Sequence, residues 1–259
     1  MKIERYNDTQ CILGEGLFLY KGTPYWVDIL DNKLFIGLNE IIKLDFIPSC
    51  VLFADDEKII IAGDIGIVSL NLLGEITSIQ EIAEHNPKTH RMNDGALLKD
   101  GHYLVGSMAK IQPEKNPGFI YKINKGQVKK LEKKFNIPNG FIETSEGVLI
   151  ADSHSREIYL FDVFNETFEH WVIFDGNGCP DGGCLNKKSN PIFAIWDGAC
   201  LQEFDYLGKK LNKIKLPVRR PTNCKYSSQE NCFFVTTASD GLKKLTEFEN
   251  DGYLLKVTS

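Results

Sequence analysis

The chain has 259 residues, 42% of them hydrophobic and 25% charged, with a formal net charge of -5 and a pI near 5.6. Such an apolar fraction excludes a disordered chain and supplies a sizeable core, while the acidic balance excludes nucleic acid as the main partner, because phosphate binding needs a basic face. No run approaches the roughly 18 apolar residues of a membrane span, and the start, Met1-Lys2-Ile3-Glu4-Arg5-Tyr6-Asn7-Asp8, lacks the apolar stretch of a signal peptide. The expectation is a cytoplasmic protein with no membrane contact.

In chain order, the first pair of short apolar runs is Tyr25-Trp26-Val27-Asp28 followed by Lys33-Leu34-Phe35. The pattern returns as Ile59 to Asp64 with Ile67 to Leu70, as Tyr103 to Ser107 with Gly118 to Tyr121, and as Val148 to Asp152 with Glu157 to Asp162. It returns again as Pro191 to Asp197 with Ala199 to Asp205, and last as Cys232 to Thr237 with Gly241 to Leu245. Each pair reads as a β-hairpin, apolar and β-branched or aromatic, punctuated by polar turn residues. About six such units, spaced by roughly 36 to 45 residues, fall within the period of blade repeats. The fold class is therefore all-β, a six-bladed β-propeller, and with no Pro/Ser-rich linker or shift of composition residues 1–259 are read as one domain. Repeat positions near Trp26, Ala62, Gly106, Ala151, Ile195 and Thr236 should lie on equivalent strands.

Between the hairpins lie short polar clusters. Leu13-Gly14-Glu15-Gly16 sets a carboxylate between two glycines ahead of the first hairpin; it is either a solvated loop glutamate or a side chain turned toward the propeller axis. Arg91-Met92-Asn93-Asp94-Gly95 brings a guanidinium, an amide and a carboxylate together, and Asn-Asp-Gly is also ordinary turn chemistry. Pro138-Asn139-Gly140 reads as a turn before Val148, and Cys179-Pro180-Asp181-Gly182-Gly183 as an acidic turn before Ile192. Glu15, Asn139 and Asp181 thus share one topological place, upstream of the strand read as innermost in each blade, and such segments converge at one mouth of a propeller's channel.

The seven cysteines, Cys11, Cys50, Cys179, Cys184, Cys200, Cys224 and Cys232, are odd in number and scattered, which suits buried free thiols rather than a disulfide framework. Lys122, Lys125, Lys129, Lys130, Lys133 and Lys134 read as a solvated blade edge, where charge also discourages strand pairing.

These clusters, with Ala151-Asp152-Ser153, Gly106-Ser107-Met108, Trp196-Asp197-Gly198 and Leu216-Pro217-Val218-Arg219-Arg220-Pro221-Thr222-Asn223-Cys224, resemble in order the signatures of the SMP-30/gluconolactonase/regucalcin-like family. The resemblance implies a six-bladed propeller with one divalent cation on its axis and, in many members, hydrolysis of sugar lactones. Residue by residue it implies Glu15, Asn139 and Asp181 as cation ligands, Arg91 and Asn93 as the groups holding the oxygens of a small lactone substrate, and Asp181 as catalytic base. Two carboxylates and an amide oxygen form a hard donor set suited to Ca²⁺ foremost, with Mg²⁺, Mn²⁺ or Zn²⁺ as alternatives. None of the five histidines falls in a matching motif, which disfavours a histidine-rich zinc site. Asp94 is expected to brace Arg91 or its turn.

One departure stands out. After Gly106-Ser107-Met108-Ala109 the animal members continue with acidic residues, whereas this chain has Lys110-Ile111. Lys110 is read as a group that could meet an anionic substituent of the lactone, or Ile111 to Pro117 as a lid over the mouth. Two other classes stay open beside the lactonase: a cation-binding protein without turnover, and a propeller scaffold. Other esters and phosphotriesters are the alternative substrates.

Overall fold

Twenty-four strands form six antiparallel four-stranded sheets in a computed structural model that describes residues 1–242 and 248–258; no helix occurs among the described residues. From the axis outward, blade I takes Gly14–Tyr20, Thr23–Asp28, Lys33–Ile36 and Glu40–Lys43, and blade II takes Pro48–Ala54, Lys58–Gly63, Gly66–Asn71 and Ile76–Gln80. Blade III is His90–Leu97, Tyr103–Ala109, Gly118–Asn124 and Gln127–Phe135, and blade IV is Pro138–Glu143, Val148–Asp152, Glu157–Asp162 and Thr167–Ile173. Blade V is Cys179–Leu185, Pro191–Trp196, Cys200–Phe204 and Lys210–Lys215. Blade VI joins Pro221–Ser227, Cys232–Thr237 and Leu255–Thr258 to the N-terminal strand Lys2–Arg5, so both ends of the chain share one sheet. Each inner strand packs on the inner strand of the next blade, and that of blade VI on that of blade I, which closes a six-bladed propeller.

The second strands explain why the repeat is so apolar. In Val148–Asp152 every residue is buried, because successive side chains point to opposite faces and each face meets a different neighbour. Val148 and Ile150 pack with Leu104 and Ile120 of blade III, while Leu149 and Ala151 pack with Phe193 and Ile195 of blade V. One such apolar layer lies between every pair of blades, the sixth joining Trp26 and Phe35 to Phe234. At about 1.5 to 3 kcal/mol for each large apolar side chain fully buried, these layers dominate the stability. Trp26, Ala62, Gly106, Ala151, Ile195 and Thr236 all fall on second strands, as the repeat predicts.

Two expectations are corrected. The clusters around Glu15, Arg91, Asn139 and Asp181 are not turns ahead of the innermost strands; they are part of those strands. Their turn chemistry serves bulges instead: pairing slips between Glu15 and Phe18, Met92 and Gly95, Asn139 and Ile142, and Pro180 and Gly183. A bulge inserts residues and re-aims the side chains beside it, and here it carries Gly16 at φ +60 and Gly140 at φ +94. In blade VI, the strand expected at Gly241 to Leu245 is not the partner of Cys232–Thr237; that partner is Leu255–Thr258. Gly241 and Leu242 lie outside any strand, and residues 243–245 lie outside the described residues.

The recurring aspartate that ends the second strand is structural. Asp28 accepts the Ile12 and Leu13 amides at 2.7 and 3.1 Å, and Asp152 accepts those of Asn136 and Ile137 at 2.8 and 3.1 Å. Each carboxylate thereby fixes the backbone that leads into its blade's inner strand, two and three residues before the side chain that lines the cavity. The lysine-rich run forms the third and outer strands of blade III, where Lys122 and Lys129 pair with Glu166, Lys130 pairs with Glu84, and Lys133 lies over the Tyr159 ring.

Candidate functional site

At one end of the channel the bulged inner strands converge on a cavity of about 310 Å³ whose lining includes Glu15, Arg91, Asn93, Asn139 and Asp181, all five residues singled out in the sequence. Four blades supply them, so no single hairpin could build the site. Leu13, Ile137, Met108 and Trp196 make its walls apolar, and His154 and Cys179 also line it.

The amides and hydroxyls are locked in a chain. Arg91 donates from Nη1 to Asn93 Oδ1 at 2.7 Å and to the Met92 carbonyl at 2.9 Å. Asn93 donates from Nδ2 to Asn139 Oδ1 at 2.8 Å and to the Pro138 carbonyl at 3.0 Å. Asn139 donates from Nδ2 to Ser153 Oγ at 2.8 Å, and Ser153 donates to the Pro180 carbonyl at 2.6 Å. This relay spans blades III, IV and V and fixes which face of the Asn139 amide meets the cavity. Ser153 is the positioning residue that sequence reasoning missed; its one signal was a place in the cluster Ala151-Asp152-Ser153.

The carboxyls are less satisfied. Asp181 is buried, and its Oδ1 has no hydrogen-bond partner. Glu15 accepts from the Gly16 amide at 3.1 Å. Burial, then the charge of Asp94, pushes the Glu15 carboxyl up to about 8. Burial followed by the charges of Glu15 and Asp94 raises Asp181 well above the usual carboxylate range. Burial lowers Arg91 to about 10, against the opposing pull of Glu15 and Asp181. Two acids that repel one another, one of them with an orphaned oxygen, and an amide oxygen form a donor set that a hard divalent cation fits. Among the described residues no three His, Cys, Asp or Glu side chains group as a metal set, so a cation here would have to draw on the Asn139 amide beside the two carboxyls.

Next to this ring, glycines let neighbouring blades approach closely. A Cβ on Gly16 would meet the Cys50 backbone at 2.2 Å, and one on Gly182 would meet the Asn223 side chain at 2.3 Å. Asp94 accepts the Gly140 amide at 2.9 Å and bonds the Gly95 amide of its own cluster, so of the two expected roles, a brace on Arg91 or on the turn, it takes the second and also braces the bulge of the next blade. Lys225 donates to the Gly183 carbonyl at 2.9 Å and, with Asp94, Cys50 and Cys184, lines a separate cavity of about 270 Å³.

Lys110 does not line the upper cavity. Its ammonium is 3.1 Å from Asp64 Oδ2, and its amide donates to the Thr89 carbonyl. None of Ile111 to Pro117 is in the lining either, and Ile111 is exposed, so the segment does not fill the mouth as the lid reading expected.

Set against known proteins, residues 13–239 match the family model described as the SMP-30/gluconolactonase/LRE-like region. Pentonolactonase XacC of Haloferax volcanii is 25% identical over 255 residues, covering 92% of this chain and 86% of that protein. Regucalcin of Homo sapiens is 22% identical over 289 residues, covering 100% and 94%. The crystal structure of a calcium-binding regucalcin from Agrobacterium tumefaciens superposes with a TM-score of 0.86 at 22% identity, covering 96% of this chain and 90% of that one. A gluconolactonase from Xanthomonas campestris superposes with a TM-score of 0.77 at 15% identity, covering 99% and 89%. These structures share the fold.

Proposed function

The chain belongs to the SMP-30/gluconolactonase/LRE-like family, and from that premise we propose that it is a hydrolase that opens a small sugar lactone, with Glu15, Asn139 and Asp181 holding one divalent cation, Ca²⁺ in the first place. The reading is supported by relatives named as pentonolactonase and gluconolactonase. What carries it in this chain is the convergence of two buried acids, an amide oxygen and the Arg91–Asn93 pair on one cavity.

When bound, such a cation supplies Lewis-acid polarisation of an ester carbonyl and a lower pKa for water. Asp181 takes the proton of the attacking water on the carboxylate, and returns it to the ring oxygen as the acyl C–O bond breaks; the product is an open-chain hydroxy acid. Arg91 and Asn93 orient the ring and its hydroxyls for attack, and the hydrogen bond between them removes rotational freedom before substrate arrives. Ser153 holds Asn139, and the apolar wall of Leu13, Ile137, Met108 and Trp196 limits water around the reacting carbonyl. Lys110 is committed to Asp64, which favours a neutral polyhydroxy lactone over one with an anionic substituent.

Acid release from a panel of aldono-γ- and δ-lactones, followed with a pH indicator, tests the proposal. The purified protein should open at least one of them well above its spontaneous rate. Cation binding with no lactone, ester or phosphotriester opened would make it a binding protein instead.

A further inference from the structure

Three residues along the inner strand from Asp181 stands Cys184, and across the blade V–VI boundary stands Cys224 on the neighbouring inner strand. Their sulfurs are 3.9 Å apart. The two strands press closely here: Asn223 fills the space a Cβ of Gly182 would need, and Lys225 reaches across to the Gly183 carbonyl. Cys224 is fully buried, whereas Cys184 is half-buried and lines the lower channel cavity, where a small solute meets it first. All seven cysteines are free thiols, and neither of these two has a part in the chemistry derived above.

We propose that Cys184 and Cys224 are an oxidation site, forming a reversible disulfide across blades V and VI when a hydroperoxide enters the lower cavity. The Cys184 thiolate attacks the outer peroxide oxygen, the O–O bond breaks, and the hydroxide or alkoxide that leaves takes up the proton lost by the Cys184 thiol and departs as water or an alcohol; the product is a Cys184 sulfenic acid. Cys224 then attacks that sulfur, the S–O bond breaks, and hydroxide leaves with the Cys224 proton as water. Two thiols are oxidised by two electrons and one peroxide is reduced. Closure brings the sulfurs from 3.9 Å to about 2.0 Å, the length of a disulfide bond. The order of attack follows the surroundings. Burial raises the Cys184 thiol, but its hydrogen bond with Cys224 and the charge of Lys225 bring it below the usual thiol value, while the same bond and burial raise Cys224. The bond joins the strand that bears Asp181 to the strand that bears Asn223.

The full chain is treated with hydrogen peroxide, and its thiols are alkylated after unfolding. The count should fall from seven free thiols by two, with a mass loss of about 2 Da reversed by dithiothreitol, and peptide mapping should link Cys184 to Cys224. Cys224→Ala should leave Cys184 as a sulfenic acid trapped by dimedone, and Cys184→Ala should leave neither product. Seven free thiols after oxidation, a bond between any other pair, or Cys184 recovered only as sulfinic acid overturns the proposal. The mapping on the unaltered chain decides the matter even if a variant does not fold.

Discussion

Asp181→Asn and Glu15→Gln form the most informative pair of substitutions, because each removes one negative charge from the same cavity and only the first removes the proposed proton acceptor. Asp181→Asn nearly preserves shape and leaves an oxygen that can ligate, in a position where Oδ1 has no other partner. Loss of a general base costs about 10² to 10⁴ in rate, or about 2.7 to 5.4 kcal/mol of barrier at 1.36 kcal/mol per tenfold. That defect should persist at saturating cation. Glu15→Gln keeps the base, and its defect should lie in cation affinity and be recovered by excess cation. It should also carry a second signature. The charge of Glu15 is, after burial, the largest cause of the raised Asp181 value, so its removal should let Asp181 ionise at lower pH and move the acid limb of kcat/KM downward. The assay is acid release from the best lactone at a series of cation concentrations and pH values. Full turnover by Asp181→Asn once cation saturates would refute the assignment and leave Asp181 a ligand only.

Three further outcomes follow from the same geometry. Glu15, pushed up to about 8 from an ordinary value of 4.5, keeps its proton in the folded cation-free protein where the unfolded chain has lost it. Stability should therefore fall as pH rises from about 4.5 to about 8, Asp181 adding in the same sense, and Ca²⁺ should flatten the slope; melting of chelated protein across that range checks this, and a rising melting temperature would contradict it. Ser153→Ala frees the Asn139 amide from its anchor and should weaken cation binding by about 10- to 100-fold in calorimetry, whereas unchanged affinity would show that the relay does not orient the ligand. Gly16→Ala puts a Cβ at φ +60 and within 2.2 Å of the Cys50 backbone, and should cost well over about 1 kcal/mol; a variant with the parent's urea midpoint would mean that the bulge is not constrained as described.

The parts of the fold legible in sequence were those buried on both faces. Ile59-Ile60-Ile61-Ala62 and Val148-Leu149-Ile150-Ala151 serve two interblade layers at once, and that double burial writes an apolar run that recurs with the blades. The innermost strands were illegible for the opposite reason. They carry Pro, Gly and Asn where a bulge turns side chains to the axis, as at Pro138-Asn139-Gly140, and those residues read as turns when neighbours are unknown. The misplacement left the site intact, since a bulge in a strand and a turn before it put Asn139 at the same end of the channel. Asp94 and Lys225 act on residues of other blades, 46 and 42 positions away, and Ser153 ties Asn139 of its own blade to Pro180 of the next, 14 and 27 positions away; local pattern contains no record of such partners. The outer strand of blade VI is the N-terminal segment Lys2–Arg5, a pairing that only closure of the ring specifies.

The central claim is that turnover depends on a cation held by Glu15, Asn139 and Asp181. Its most direct test is one continuous acid-release trace on an opened lactone. Exhaustive chelation should bring the rate down to the spontaneous background, and adding back Ca²⁺, Mg²⁺ or Mn²⁺ should restore it in the unaltered protein, with Glu15→Gln requiring more cation to reach the same point. A rate unchanged by chelation, with the cation shown to be gone, would contradict the account.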